Sequence, residues 1–262
     1  MSTNTKIILG VLAGATFMFC VVGGVILGFH FFTGQSKSTV IPATPIPVAP
    51  VVVAARREIP AQHFDLTSCV KVESARELEF GRGPFSFSFW FRTTTTNRLL
   101  TFMSKRKSGL SDGWVMHSLE DHSLFFYAAG CATTKAPAPN SRDGRWHHVA
   151  AVREGDQLAL YLDSEPVGTG DNRCNFADRY PIRLGMDADT FKGWHFSGDM
   201  AEVHFYNRAL SAGEVAEEWN GGQPLPRAVA GGGLVAGYHL GESADAAEDF
   251  SGHGFSGMLV GP

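Results

Sequence analysis

Phe85-Ser86-Phe87-Ser88-Phe89-Trp90-Phe91-Arg92 alternates aromatic rings with small hydroxyl side chains over most of its length. An apolar residue at every second position is the period of a strand, whose successive side chains leave opposite faces. The pattern recurs on both sides. Leu99 to Met103, Trp114 to Leu119 and Leu124 to Ala129 read as further short strands. Trp146 to Val152 and Leu158 to Leu162 flank Glu154-Gly155-Asp156, a hairpin signal, and Ile182 to Leu184 and Met200 to Tyr206 complete the set. With 30 glycines, 20 phenylalanines and almost no helical periodicity, the body of the chain predicts an all-β antiparallel sandwich or barrel.

One short helix is expected late. Ser211 can cap it, Glu214 stands at the position that completes a capping box, and Leu210 and Val215 flank the cap as a hydrophobic staple. Gly221-Gly222 and Pro224 end it. A helix of about nine residues is marginal alone, so Val215 and Trp219 are expected to pack onto the sandwich.

These pieces, in this order, resemble the laminin-G-like/pentraxin jelly roll of the concanavalin A-like lectins and glucanases. The resemblance rests on the Phe85–Arg92 strand, Gly144-Arg145-Trp146-His147-His148-Val149-Ala150-Ala151-Val152, Leu160-Tyr161-Leu162-Asp163, and Gly198 to Ser211. It covers roughly 64–220 and implies a jelly-roll sandwich that binds carbohydrate or protein.

The N-terminus is a separate question. From Ile7 to Phe29 there are 23 residues without a charge. As a helix at about 1.5 Å per residue they would span roughly 35 Å, enough for a bilayer's hydrocarbon core. The competing reading, a cleaved signal peptide, calls for an apolar region of about 7–15 residues and a small-x-small cleavage site. Gly34-Gln35-Ser36-Lys37 is a poor one, and Phe17-Met18-Phe19 before Cys20 does not suit lipoprotein processing. The expected organisation is therefore a cytoplasmic N-terminus (1–6), a transmembrane helix (7–32), a Pro-rich stalk (33–57), the laminin-G-like sandwich (58–222) and a C-terminal segment (223–262). Flanking charge is weak, with Lys6 on one side and Lys37 on the other. The sandwich family favours an extracytoplasmic C-terminal side on a single-pass cell-membrane protein. Pro42, Pro45, Pro47 and Pro50 favour an extended stalk, or else a plain tether.

Net charge is −4, with no basic surface that would suit nucleic acid. For metal, Asp187 and Asp189 follow a strand end at alternate positions, so their carboxylates leave on one side and suit calcium. The resemblance places both on pentraxin calcium-ligand positions, and Asp112, in the loop Ser111-Asp112-Gly113, is a candidate third ligand from the facing loop. The plain alternative is an acidic turn in solvent. Trp194, in a glycine-containing loop beside them, offers a flat face for a sugar ring, unless it folds back on the sandwich edge. Trp90, Trp146 and Trp219 read as core.

His147 and His148 are neighbours on a strand and cannot chelate one ion together. Glycoside hydrolysis needs two carboxylates flanking the scissile bond. The Glu-x-Asp-x-x-Glu strand of laminarinase-like relatives does not occur, and Asp199 and Glu202, at i and i+3 on a strand, face opposite ways. The expected protein is therefore a binding module rather than an enzyme, with a glycan or surface glycoprotein as partner. A protein-binding envelope module and, more remotely, an anchored hydrolase are the alternatives. Cys131 and Cys174 lie in loops flanking neighbouring strands and are expected to form a disulfide, leaving Cys69 over. Finally, Leu234 to Leu240 and Asp249 to Leu259 resemble the opening of a second such module. Either they are a truncated domain, or they fold back as an edge of the first.

Overall fold

The computed structural model describes residues 59–107, 112–188, 194–224 and 228–261, and the main chain alone of 7–12, 15–22 and 25–29. The chain divides into two compact units, Met1–Ala55 and Arg56–Pro262. In the first, β1 (Ile7–Leu12), β2 (Ala15–Val22) and β3 (Val25–Phe29) form an antiparallel sheet in that order. This corrects the single helix expected over 7–32. Absence of charge sets the apolar character of the run but not its secondary structure. Isoleucine and valine favour strands. Among the described residues no helix is long and apolar enough to cross a membrane, a statement that leaves strands out of account. The expected cytoplasmic segment 1–6 and the stalk 33–57 lie outside the described residues.

The second unit is the antiparallel sandwich. Its strands are β4 (Gln62–Asp65), β5 (Cys69–Val72), β6 (Phe85–Arg92), β7 (Leu100–Arg106), β8 (Gly113–Ser118), β9 (Leu124–Ala128), β10 (Ala132–Ala136), β11 (His147–Glu154) and β12 (Gln157–Leu162). They continue with β13 (Glu165–Asp171), β14 (Ile182–Leu184), β15 (Ser197–Tyr206), β16 (Leu234–Tyr238), β17 (Ala246–Ala247) and β18 (Gly257–Val260). The larger sheet runs β10-β9-β8-β7-β14-β5-β18-β17, and the smaller runs β13-β12-β11-β6-β15-β16, with β4 also on β15. The expected hairpin is present, Glu154 pairing with Gln157 across Gly155-Asp156.

The alternation in β6 fixes the core. Phe85, Phe87, Phe89 and Phe91 point between the sheets. Phe87 stacks on Trp114 at 5.3 Å, and Phe89 and Phe91 meet Phe102 at 4.9 and 4.7 Å. Ring pairs of this kind add about 0.5–1.5 kcal/mol each beyond the area they bury. The other face of β6 is buried too. Ser86, Ser88 and Trp90 lie beneath α1 (Ala212–Trp219) and its flanks. Ser86 Oγ donates to the Arg208 carbonyl and accepts from Leu210 N, both at 2.9 Å.

The helix starts with the expected capping box, Ser211 with Glu214, and stops at Asn220 in the left-handed region (φ 46°). The face it lays on the sheet differs from expectation. Val215 and Glu218 are buried, while Trp219 is half-buried. Glu218 accepts from the hydroxyls of Ser88 and Tyr206, lies 3.0 Å from His204 Nδ1 and 3.7 Å from His148 Nε2. A buried carboxylate is tolerated because partners surround it.

The C-terminal segment adds β16 to the smaller sheet and β18 and β17 to the larger. β16 pairs with β15, and β18 pairs with β5, Gly257 opposite Val72 and Val260 opposite Cys69. Between them, Gly241 (φ +88°) passes so close to Ala61 that a Cβ there would lie 2.3 Å from its main chain. The outer edge of β16 is capped by side chains. Gly237 N donates to Asp249 Oδ1 at 3.0 Å, and Ser251 Oγ donates to the Val235 carbonyl at 2.9 Å. Cys131 and Cys174 are disulfide-bonded, with Cα atoms 5.7 Å apart, and Cys69 is buried.

A chain shortened to end at Gly222 loses Val235, Tyr238, Leu240 and Ala247 from the core and uncovers β5 and β15. Its melting temperature should fall by at least several degrees, or folding should fail. An unchanged melting temperature by calorimetry would show that these strands contribute nothing.

Candidate ligand-binding face

The larger sheet has a second face. Along β7, β8 and β9 the residues Leu100, Phe102, Trp114, Met116, Leu124 and Phe126 enter the core. Their alternates, Thr101, Val115, His117, Phe125 and Tyr127, point the other way. Strand register lines these up: Thr101 pairs with His117, His117 with Phe125, and Phe125 with Lys135. Three rings result in parallel succession. His117 and Phe125 are 6.5 Å apart with planes 9° apart, and Phe125 and Tyr127 are 6.3 Å apart at 12°. Phe125 and Tyr127 are half-buried, the state of rings with one side open.

The loop after β14 completes the face. Gly185 N donates to the Phe102 carbonyl, and a bridge between Met186 and His195 doubles the chain back. The flanking pair, Asp187 and Trp194, is thereby brought to one place, and both meet His117. Trp194, 38% exposed, meets the imidazole edge-on at 5.9 Å and 87°. Asp187 is fully buried, with Oδ2 3.8 Å from His117 Nε2.

What occupies Asp187 is Arg106. The guanidinium Nε donates to Oδ1 at 2.6 Å, Nη2 donates to Oδ2, and Ala188 N also donates to Oδ1 at 2.6 Å. Both members are at most 1% exposed, and Arg106 lies 6.0 Å from the Tyr127 ring. A two-point fork of this kind fixes orientation as well as charge.

The three expected calcium ligands thus have different fates. Asp187 is spent on Arg106. Asp112 instead receives the Tyr180 hydroxyl at 3.4 Å, beside a small cavity lined by Asn175, Asp178 and the disulfide. Asp189 lies outside the described residues. Among the described residues no three His, Cys, Asp or Glu side chains are grouped to hold an ion, and a carboxylate saturated by a guanidinium does not fit a calcium donor set. Trp194 is partly exposed and packs edge-on against His117. His117, Phe125, Tyr127 and Arg106 were not singled out from sequence, although the alternation within 114–119 and 124–129 carried the signal for the first three.

The other candidates resolve as structural. His147 lies 2.8 Å from Asp163 and 3.2 Å from Asp143, whereas His148, on the opposite face, packs on Trp90 at 5.2 Å beneath Glu218. Trp146 is half-buried under the Arg92 guanidinium at 4.9 Å rather than in the core. Asp199 binds Arg92 and His63, each at 2.6 Å, and Glu202, at a bulge with φ 45°, binds His239 at 2.7 Å. Each carboxylate has its own partners, and the two form no acid–base pair.

The match of residues 67–216 to the family model described as the concanavalin A-like lectin/glucanases superfamily places the chain in that family. It is 30% identical over 90 residues to the basement membrane-specific heparan sulfate proteoglycan core protein of Mus musculus, covering 33% of this chain and 2% of that one. Among solved structures, a Bacteroides ovatus protein assigned a carbohydrate-binding role superposes with a TM-score of 0.61 at 16% identity, over 78% of this chain and 59% of that chain. The CBM40 module of a Ruminococcus gnavus sialidase, bound to α2,3-sialyllactose, gives 0.48 at 13% identity, over 60% of this chain and 95% of the module. The chain therefore spans a small part of its curated relative and under two thirds of the Bacteroides protein.

Burial pushes the His117 imidazole down to about 4, against the opposing pull of Asp187 and with Arg106 adding to the shift. The unfolded chain, with an ordinary value of 6.5, therefore binds a proton between pH 6.5 and 4 that the folded chain refuses. The contribution of His117 is full above pH 6.5 and should fall by up to about 3 kcal/mol as pH drops to 4. Glu202, raised by burial to about 7, works in the opposite direction, so the difference from a His117 variant is the readout. The His117→Gln variant should lose this part of the slope. Urea denaturation across that range checks it, and parallel slopes for the two proteins would contradict it.

Proposed function

We propose that the chain is a non-catalytic glycan-binding module whose contact surface is the outer face of the larger sheet. The observation that carries this reading is the pair of parallel, half-buried rings Phe125 and Tyr127, continued by the buried His117 next to the partly exposed Trp194. Sugar rings present flat C–H faces that stack on aromatic side chains, and their hydroxyls take up the polar groups between. Family membership and the carbohydrate-binding role assigned to the Bacteroides relative agree with it. The carboxylate nearest the rings, Asp187, is tied to Arg106 and is in no position for acid–base work.

The module is displayed outside the cytoplasm, held at a membrane by the charge-free segment 7–29. The disulfide supports an oxidising compartment, and the charge-free, apolar character of that segment supports the attachment.

The test is a glycan array probed with the full chain in detergent. Trp194→Ala and Phe125→Ala should each lower affinity for the selected glycan about tenfold, equivalent to 1.4 kcal/mol. Trp219→Ala, on the helix over the other sheet, should leave it unchanged. An array with no signal, from a chain that captures a protein partner instead, would overturn the reading in favour of a protein-binding module.

A further inference from the structure

Strand β7 ends in two successive cations, Lys105 and Arg106, each 1% exposed. Successive side chains of a strand leave opposite faces, so the two serve different surroundings. Arg106 turns outward to the ring face and forks onto Asp187. Lys105 turns the other way, into the field of Asp178 and Glu79, and Asp178 in turn feels Asp112. Asp187 thus lies beside a cation carried by the chain, Arg106, whereas the acids that face Lys105 are Asp178 and Glu79.

A carboxylate with no exposed surface requires compensation, from a cation or from several hydrogen-bond donors. At Asp187 the compensation is intramolecular and complete, since both oxygens accept from Arg106 and one also accepts from Ala188 N. A divalent ion would have to displace that fork. We infer that Arg106 is a built-in substitute for a divalent cation at Asp187, which makes the Trp194 face independent of calcium. The inference rests on the proposed ligand face for its functional meaning. Its physical content, the exchange of one cation for another, stands without any glycan.

Two consequences are open to measurement on the full chain in detergent, with melting temperature as the readout. The wild-type protein should melt at the same temperature in millimolar calcium chloride and in EGTA. Arg106→Gln leaves Asp187 buried and uncompensated, so it should melt several degrees lower in EGTA and recover part of that loss in calcium. Arg106→Lys keeps the charge and should stay insensitive to calcium. So should Arg106→Gln combined with Asp187→Asn, which removes the charge that calcium would answer. A purely structural role for Arg106 would lower all melting temperatures without calcium rescue of the single variant. A calcium-induced rise of several degrees in the wild type overturns the inference, as does an Arg106→Gln protein that folds and ignores calcium. If that variant does not fold, the wild-type comparison still decides. Failure to bind any glycan would remove the proposed function while leaving these melting shifts as they are.

Discussion

Strand β6 is buried on both of its faces, and most of the molecule can be understood as the means of covering them. One face supplies Phe85, Phe87, Phe89 and Phe91 to the space between the sheets. The other carries Ser86, Ser88 and Trp90, which need a second layer over the smaller sheet. That layer is α1 with its flanking loops, fixed by Ser86 to the chain entering the helix and by Ser88 to Glu218. With the outer face of the smaller sheet occupied, the outer face of the larger sheet is the one on which rings such as Phe125, Tyr127 and Trp194 keep part of their surface.

Glu218 beneath α1 and Asp187 on the larger sheet are both buried carboxylates, and the two are compensated differently. Burial alone would raise Glu218, but His204 and His148 hold it well below the usual carboxylate range, with two hydroxyls completing the shell. Asp187 has a permanent cation in Arg106. Buried polar groups of this kind add less to net stability than their short distances suggest, because desolvation offsets the attraction. Their contribution here is positional. Glu218 determines which face of α1 meets the sheet, and Asp187 holds the loop that presents Trp194 over His117.

Much of the sandwich was legible because its strands alternate over a two-sided core. The Phe85–Arg92 strand, the Gly155-Asp156 hairpin and the Ser211–Glu214 capping box carry their own local signals, and the Cys131–Cys174 bridge followed from loop placement. The weaker strands β10 and β13 escaped notice, since Ala132–Ala136 is a short polar edge and Glu165–Asp171 a glycine-bearing one. The N-terminal run was misread as a helix because freedom from charge is common to apolar helices and apolar strands. At the site, the fold brings Asp187 and Trp194 together at His117, and Arg106 takes both oxygens of the carboxylate that was expected to face calcium. Sequence spacing shows that carboxylates share a side but not that Arg106, 81 residues away, reaches one of them first. Glu218 was invisible for the same reason. Nothing local distinguishes a buried glutamate from an exposed one on a short amphipathic helix.

The central claim is that the ring face of the larger sheet meets the ligand. Hydrogen–deuterium exchange on the full chain, with and without the glycan selected by the array, addresses it most directly. The account predicts that added protection concentrates in β7, β8 and β9 and around Trp194–Phe196, with α1 and β11–β13 unchanged. Protection confined to the Asp112–Asp178 end of the sandwich, or to the smaller sheet, would contradict it.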